Sequence, residues 1–225
     1  MSYLLIALAP VFIIAFYVYF RDKYDREPIG LLLKSLLVGG IIVIPILFFE
    51  QWIAARKAHL EGLNAAFYTA FMVAALVEES FKFIGLFYLI WRKKEFDEKF
   101  DGIVYAVFVS LGFAAVENVM YVYQGGVTVG LMRAITAVPA HALFGVAMGY
   151  YFGMAKFRPK KRSLFLLKAF IVPVVLHGIY DFILMSGIHW LLVFFVILMV
   201  GMYIFAFRRM KELNTTSRFK PKEVV

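Results

Sequence analysis

The sequence predicts an all-α membrane protein, a polytopic bundle with about seven transmembrane helices. Two observations support this fold class. First, 63% of the residues are hydrophobic and 17% are charged, whereas a soluble domain is roughly half apolar and a quarter charged. Second, the apolar residues form long runs, each close to the roughly 20 residues that a helix needs to cross a bilayer. We therefore expect an integral membrane protein without a separate soluble domain.

The runs define seven predicted spans and one tail. The spans are residues 2–20, 29–49, 65–91, 102–123, 131–155, 164–186 and 189–207. We expect residues 1–207 to form a single transmembrane domain and residues 208–225 to form a basic, partly disordered cytoplasmic tail. No basic residue precedes the first run and no small-residue cleavage site follows it, so we expect a first transmembrane helix and not a signal peptide.

Basic residues occupy alternate loops. The loops after the first, third and fifth spans are rich in lysine and arginine, and so is the tail, whereas the other loops contain only Arg56 and Lys57. This asymmetry predicts that the basic loops are cytoplasmic, with the N-terminus outside and the C-terminus inside. The net charge of +9 then reflects topology and contact with anionic lipid, so no nucleic-acid partner is expected.

Ionisable residues inside the spans point to function, because such residues are costly in a bilayer. Four consecutive spans carry them, while the centres of the other three spans carry essentially none. They are Glu78, Glu79 and Lys82 in the third span, Glu117 beside Asn118 in the fourth, His141 in the fifth, and His177 and Asp181 in the sixth. We therefore expect a four-helix catalytic core from the third to the sixth helix.

The spacing of these residues predicts particular pairs. Lys82 follows Glu79 by three residues and Glu78 by four, so it can pair with either glutamate. An ion pair needs only one acid, which leaves a second carboxylate for chemistry. His177 and Asp181 share one helix face at four-residue spacing, where the aspartate could orient the histidine or both could bind a metal.

Neighbouring positions in the fourth and fifth spans allow several interpretations. Asn118 could hold an oxyanion or form a hydrogen bond to another helix. Three glycines at four-residue steps continue the face of His141 and predict close helix packing; they are Gly145, Gly149 and Gly153. Glu50 and Arg133 lie near predicted helix ends, where we expect their side chains to snorkel and to have no chemical role.

Counting residues from the predicted outer ends predicts one shared cavity. At about 1.5 Å per residue, Asp181 and Glu117 lie about 8–9 Å deep, the two histidines about 15 Å and Glu78 about 20 Å. We expect these side chains to line a cavity that opens outward, with Glu78 less than about 12 Å from both histidines, a span of roughly eight helical residues.

Acids and histidines in a wet intramembrane cavity suit peptide-bond hydrolysis. A glutamate could activate water, and histidine or asparagine could stabilise the oxyanion and protonate the leaving amine. Alternatively, Glu78, Glu117, His141 and His177 could bind zinc with an open water position. The chain contains no cysteine, and neither a G-x-S-x-G nor an H-E-x-x-H motif is present. A transporter or channel with an acid–histidine relay and a purely structural charge cluster are the competing hypotheses.

Four stretches together resemble the PrsW family of intramembrane proteases. They are VEESFKF, DGIVYAVFVSLGFAAVENVMY, AVPAHALFGVAMGYYFGMAKF and VPVVLHGIYDFI, and the early segment RDKYDREP is also similar. The resemblance covers about residues 1–207. This family is similar to the CAAX prenyl protease and bacteriocin-processing (Abi) group, so a CAAX-type or peptide-processing protease is an alternative.

The resemblance implies a function and a set of site residues. It implies a multi-pass protease of the bacterial cytoplasmic membrane that makes the site-1 cut on the extracytoplasmic side of a single-span anti-sigma factor during envelope stress. A sigma factor is released as a result. By motif match, Glu78 and Glu79 are the essential acids, and the remaining catalytic positions are Glu117, His141, His177 and Asp181, with Lys82 and Asn118 in support. The Abi group implies a glutamate-activated water, whereas older family descriptions assume a metalloprotease. We expect no cofactor, with zinc as the alternative.

Overall fold

The structure, a computed structural model, describes residues 2–57 and 59–221. These residues form helices joined by short loops, and no β-strand occurs among them. The predicted all-α class is therefore confirmed.

Nine α-helices occur among the described residues. They are α1 (Ser2–Arg21), α2 (Ile29–Ile41), α3 (Val43–Ala54), α4 (Gly62–Phe67), α5 (Leu76–Ile90), α6 (Lys99–Ile135), α7 (Ala137–Phe157), α8 (Arg162–Met185) and α9 (Leu191–Thr215). A π-helical segment, Tyr68–Ala75, joins α4 to α5 without a break. Short 3-10 turns, Ala55–Lys57 and Pro159–Lys161, follow α3 and precede α8.

Five helical stretches in the described part of the chain are long and apolar enough to cross a membrane. They are Tyr3–Arg21, Ile29–Lys57, Lys99–Phe157, Pro159–Met185 and Leu191–Thr215. The third stretch contains both α6 and α7. This result agrees with a multi-pass membrane protein, while the number of spans and their orientation stay predictions.

The predicted loop between the fourth and fifth spans is shorter than expected. Helical residues extend from Lys99 to Ile135, and the segments before and after Gly126 are separated by a break in helical geometry at that residue, where φ is 75° and ψ is −168°. Glycine tolerates this conformation because it has no Cβ atom. The chain therefore bends sharply at Gly126 while it remains helical on both sides.

Two other predicted boundaries differ from the structure. The predicted span 29–49 consists of two helices, α2 and α3, that meet at Ile42. The first part of the predicted tail is helical, because α9 continues to Thr215. Leu213 is buried there, and the Asn214 side-chain amide donates a hydrogen bond to the carbonyl of Arg21. Residues 222–225 of the predicted tail lie outside the described residues.

Helices α6 and α7 form the buried centre of the bundle and pack backbone to backbone. A Cβ atom on Gly149 would lie 2.2 Å from the Gly102 carbonyl oxygen, and one on Gly153 would lie 2.3 Å from the Lys99 carbonyl oxygen. Side chains of any size would separate the two helices. The close packing predicted from the glycines on the face of His141 is therefore confirmed.

Candidate active site

The ionisable residues predicted from four separate spans meet in one buried polar network. Its members are Glu78, Glu79 and Lys82 on α5, Glu117 on α6, His141 on α7, and His177 and Asp181 on α8. Each member lies within hydrogen-bonding or ion-pairing distance of another member. Helix packing therefore brings together ionisable side chains that are spread over about a hundred residues of the sequence.

Lys82 lies at the centre of this network. Its Nζ atom is 3.0 Å from Glu78 Oε2 and 2.8 Å from Glu79 Oε1, as the helical spacing predicts. The same Nζ atom is 3.3 Å from His141 Nδ1 and lies over the ring of Phe113, 4.1 Å from its centroid. Lys82 is completely buried, so one ammonium group is shared by two carboxylates away from water.

His177 is held at both ring nitrogens. Its Nδ1 atom lies 3.1 Å from Glu79 Oε1 and 4.0 Å from Glu78 Oε2, while its Nε2 atom lies 3.2 Å from Asp181 Oδ2. The imidazole stacks on the ring of Phe144 at a centroid distance of 4.8 Å. The predicted pairing of His177 with Asp181 is therefore confirmed, and the ring orientation is set from three sides.

The second histidine belongs to a separate branch of the network that sequence reasoning only partly anticipated. His141 Nε2 lies 2.9 Å from Glu117 Oε2, and Arg133 Nη2 lies 2.7 Å from the same oxygen. The expectation that Arg133 snorkels away from the site is therefore wrong. The bend at Gly126 turns the last part of α6 back toward Glu117, and two adjacent glycines between these charges were the signal for it.

Asn118 acts as a link between helices. Its Nδ2 atom donates a hydrogen bond of 2.8 Å to the carbonyl of Ala7 on α1, and its Oδ1 atom accepts one of 3.0 Å from Arg133 Nε. The side chain is completely buried and does not line the cavity described next. Of the two roles considered for Asn118, the structure shows the interhelical hydrogen bond and not the oxyanion contact.

A cavity of ≈ 490 Å³ borders the network, and we call it the central cavity. Its polar lining residues are Glu50, Glu78, Glu117, Arg133, His141, His177 and Asp181, together with Thr69, Tyr121, Gln124, Thr136 and Tyr180. Glu79 and Lys82 are not among the lining residues, so Glu79 lies behind Glu78 as seen from the cavity. The expectation that Glu50 merely snorkels is wrong, because α3 places it on the cavity wall.

The predicted convergence of these residues is confirmed. Glu78 Oε2 is 4.0 Å from His177 Nδ1, and carboxylate oxygens of Glu78 and Glu79 lie within 4.8 Å of a ring nitrogen of His141. Both distances are far below the predicted limit. The side of the membrane on which the cavity opens stays a prediction.

The π-helical segment helps to position the catalytic candidates. It ends directly before the turn that carries Glu78, and π-helical turns are common near functional sites. Its Phe71 ring packs on Gly178, where a Cβ atom would lie 2.3 Å from the ring. This close contact brings α8 against the start of α5, and so His177 against Glu79.

As they are arranged, the donor atoms of Glu78, Glu79 and His141 do not fit a zinc ion. Glu78, Glu79 and His141 offer donor atoms within 4.8 Å of one another, and these are residue types that zinc accepts. The Lys82 ammonium, however, already contacts all three. Both nitrogens of His177 also face carboxylates, whereas a zinc-bound histidine uses one nitrogen for the metal. A zinc ion at this position would have to displace Lys82.

Comparison with known proteins identifies the family to which this chain belongs. Residues 27–207 match the model of a family described as PrsW family intramembrane metalloprotease. Three relatives carry the name Protease PrsW. The protein from Geobacillus kaustophilus is 42% identical over 81% of this chain and 80% of its own length. The Oceanobacillus iheyensis protein is 38% identical over 95% and 97%, and the Bacillus subtilis protein is 36% identical over 93% and 94%.

The family match and the fold agree. No solved structure matches the chain. The relatives are bacterial, and the described part of this chain has five stretches that could cross a membrane, as expected for a multi-pass protease of a bacterial membrane. The acids and histidines that line the central cavity lie within the matched residues. The chain belongs to the PrsW family of intramembrane proteases.

Proposed function

We propose that this protein is an intramembrane endopeptidase that makes the first, extracytoplasmic cut in a single-span anti-sigma factor, using a water molecule activated by Glu78. The observation that carries this proposal is the position of Glu78. Of the two adjacent glutamates, it is the one that lines the central cavity. A water molecule and a peptide bond bound in that cavity would meet its carboxylate directly.

Glu78 is suited to act as the general base. Lys82 holds its Oε2 atom at 3.0 Å, which orients the carboxylate and leaves Oε1 for a water molecule. Transfer of a proton from the water to Glu78 generates the hydroxide that attacks the peptide carbonyl carbon. Glu79 serves as a positioning residue, because its Oε1 atom is bound by Lys82 and His177 and it does not reach the cavity.

The branch of the network that contains His141, Glu117 and Arg133 supplies the remaining catalytic functions. His141 and Glu117 share a hydrogen bond of 2.9 Å on the cavity wall, and this pair can pass a proton to the leaving amine. Arg133 brings a positive charge to the same wall, where charge develops on the carbonyl oxygen. Asp181 orients His177 through Nε2.

The decisive experiment compares three purified proteins in proteoliposomes: wild type, Glu78→Gln, and the matched control Glu61→Gln. Glu61 is exposed in the loop before α4. A single-span anti-sigma factor is the substrate. We expect wild type and Glu61→Gln to cleave equally, and folded Glu78→Gln to lose roughly 10²- to 10⁴-fold in rate, the usual contribution of a general base.

Two results would contradict this proposal. Cleavage by Glu78→Gln at the wild-type rate would exclude Glu78 as the base. Failure of well-folded wild type to cleave a panel of anti-sigma factors and prenylated peptides would favour an acid–histidine relay for transport.

A chelation experiment addresses catalytic type. A chelator selective for transition metals, applied with magnesium in excess, should leave wild-type cleavage unchanged, because Lys82 occupies the place where zinc would bind. Loss of cleavage that zinc restores would overturn the metal-independent assignment.

A further inference from the structure

A second group of buried acids lies far from the central cavity. Asp22 and Glu27 come from the loop between α1 and α2, and Asp101 comes from the first turn of α6. Asp22 is 1% exposed, Glu27 5% and Asp101 1%. Carboxylate oxygens of all three lie within 4.8 Å of one another. Asp101 precedes Glu117 by sixteen residues on α6, which corresponds to about 24 Å along a helix.

Two of the three carboxylates are held in place by neutral donors. Asp101 Oδ2 accepts hydrogen bonds from the main-chain N–H groups of Asp97 at 2.8 Å and Glu98 at 2.7 Å, which caps the start of α6. Glu27 Oε2 accepts a short hydrogen bond from the Tyr105 hydroxyl. These contacts orient the oxygens without supplying positive charge.

The third carboxylate, that of Asp22, has no side-chain hydrogen bond to any residue that the structure describes. Both side-chain oxygens of Asp22 are buried without a hydrogen bond to any described residue. No lysine or arginine in the described part of the chain forms an ion pair with any of the three acids. A buried polar group that lacks a partner is costly, so this arrangement calls for a ligand that bridges the three acids.

Three bare carboxylates at this separation would repel one another strongly, because they are buried away from water. Either bound protons or a cation must therefore neutralise this group.

The donor chemistry and the access route favour a hard divalent cation. All donors are carboxylate oxygens, which magnesium and calcium prefer, and no nitrogen or sulfur ligand for zinc is present among the three. A depression of ≈ 320 Å³ borders Glu27, and its other charged lining residues are Asp25, Arg26, Lys94, Glu95 and Asp97. Of the three acids, Glu27 is the one that borders this depression, so an ion would approach the group past Glu27.

We propose that Asp22, Glu27 and Asp101 bind a hard divalent cation that ties the α1–α2 loop to the start of α6. The basic residues of this loop predict that it faces the cytoplasm, where magnesium is the abundant ion of this class. Such an ion would be structural, because it lies at the far end of α6 from the central cavity. This inference does not depend on the proposed reaction.

The test uses the full-length protein, purified in detergent and stripped of divalent ions. Thermal unfolding is followed during titration with magnesium and, separately, calcium, and direct binding is followed by electron paramagnetic resonance of Mn²⁺. We expect a saturable rise in Tm and one Mn²⁺ site per chain from which magnesium displaces the manganese. Asp22→Asn should abolish the Tm shift and weaken Mn²⁺ binding at least about tenfold, as loss of a metal-site group does.

Glu61→Gln is the control, because Glu61 is an exposed acid in the loop before α4 and lies outside both the three acids and the depression. It should keep the full Tm shift. Asp22→Asn is nearly isosteric and breaks no hydrogen bond, so it should fold.

Two outcomes would overturn the proposal. In the first, wild type shows no Tm shift with either ion while Asp22→Asn is more stable, so protons alone neutralise the acids. In the second, Mn²⁺ binding survives Asp22→Asn but disappears in Glu78→Gln, which locates the ion in the central cavity.

Discussion

Arg133 Nη2 lies 2.7 Å from Glu117 Oε2, although sixteen residues separate the two on the same helix. In a straight helix these residues would be about 24 Å apart. The bend at Gly126 turns the chain back, so the end of α6 lies close to Glu117 at the wall of the central cavity. Glu117 is consequently held between Arg133 and His141, and both contacts fall on one carboxylate oxygen.

We predict that Arg133→Gln impairs cleavage more than it impairs folding. The side chain of Arg133 is only partly buried, but it orients Glu117 and lines the cavity. Misplacement of a catalytic pair typically costs on the order of 10²-fold in rate. Cleavage assays in proteoliposomes should show this loss in kcat with KM little changed.

The control for this prediction is Arg56→Gln. Arg56 is exposed and contacts Trp52, away from the network, so its replacement should leave cleavage unchanged. Equal rates for the Arg133 and Arg56 variants would show that Arg133 has no part in the reaction.

A second prediction concerns Lys82, the buried ammonium between two glutamates. Lys82→Met should destabilise the fold by about 3–5 kcal/mol, because removing one partner leaves buried charge uncompensated. Equilibrium unfolding in mixed micelles measures this loss, with exposed Lys168→Met as the control.

A double variant separates charge from packing at this site. Adding Glu79→Gln to Lys82→Met removes one of the two uncompensated carboxylates. The double variant should therefore be less destabilised than the sum of the single variants. Simple additivity would show that Lys82 stabilises the bundle through packing alone.

A third prediction concerns the contact between α6 and α7. Gly149→Ala would put a methyl group 2.2 Å from the Gly102 carbonyl oxygen, so the helices must separate. Overpacking of this kind typically costs about 1–3 kcal/mol. Thermal unfolding should show a lower Tm for Gly149→Ala.

Gly201→Ala is the control for the glycine prediction. Gly201 lies within α9, and a Cβ atom there would meet nothing within 4 Å. Its replacement by alanine should leave Tm unchanged or raise it slightly. Similar Tm values for the Gly149 and Gly201 variants would mean that the α6–α7 contact adjusts without strain.

Much of this architecture depends on patterns that are local in the chain. Long apolar runs predicted membrane helices because a span needs roughly 20 consecutive apolar residues. Four-residue spacing predicted the Lys82–Glu78 and His177–Asp181 pairs, because one helical turn brings such residues together. Glycines at the same spacing predicted the tight contact of α7, which Gly149 confirms.

What the sequence did not show lies in features that hydropathy does not encode. The sequence indicates a turn near residues 124–130, but not that the conformation of one glycine, Gly126, turns the chain back on itself there. The charge of the tail predicts partial disorder, but it does not show that buried Leu213 and the Asn214 hydrogen bond extend α9 to Thr215. Packing against distant parts of the chain decided both cases.

By itself, the sequence determined that this is a helical membrane protein with acids and histidines on four of its helices. Only the tertiary structure decided which groups face the central cavity. It separated Glu78 from the adjacent Glu79, brought Arg133 to Glu117, and gathered three acids around Asp22. Hydropathy and helical spacing describe neighbours within a turn or a span, whereas these relationships join residues from different helices, and helix packing sets their distances.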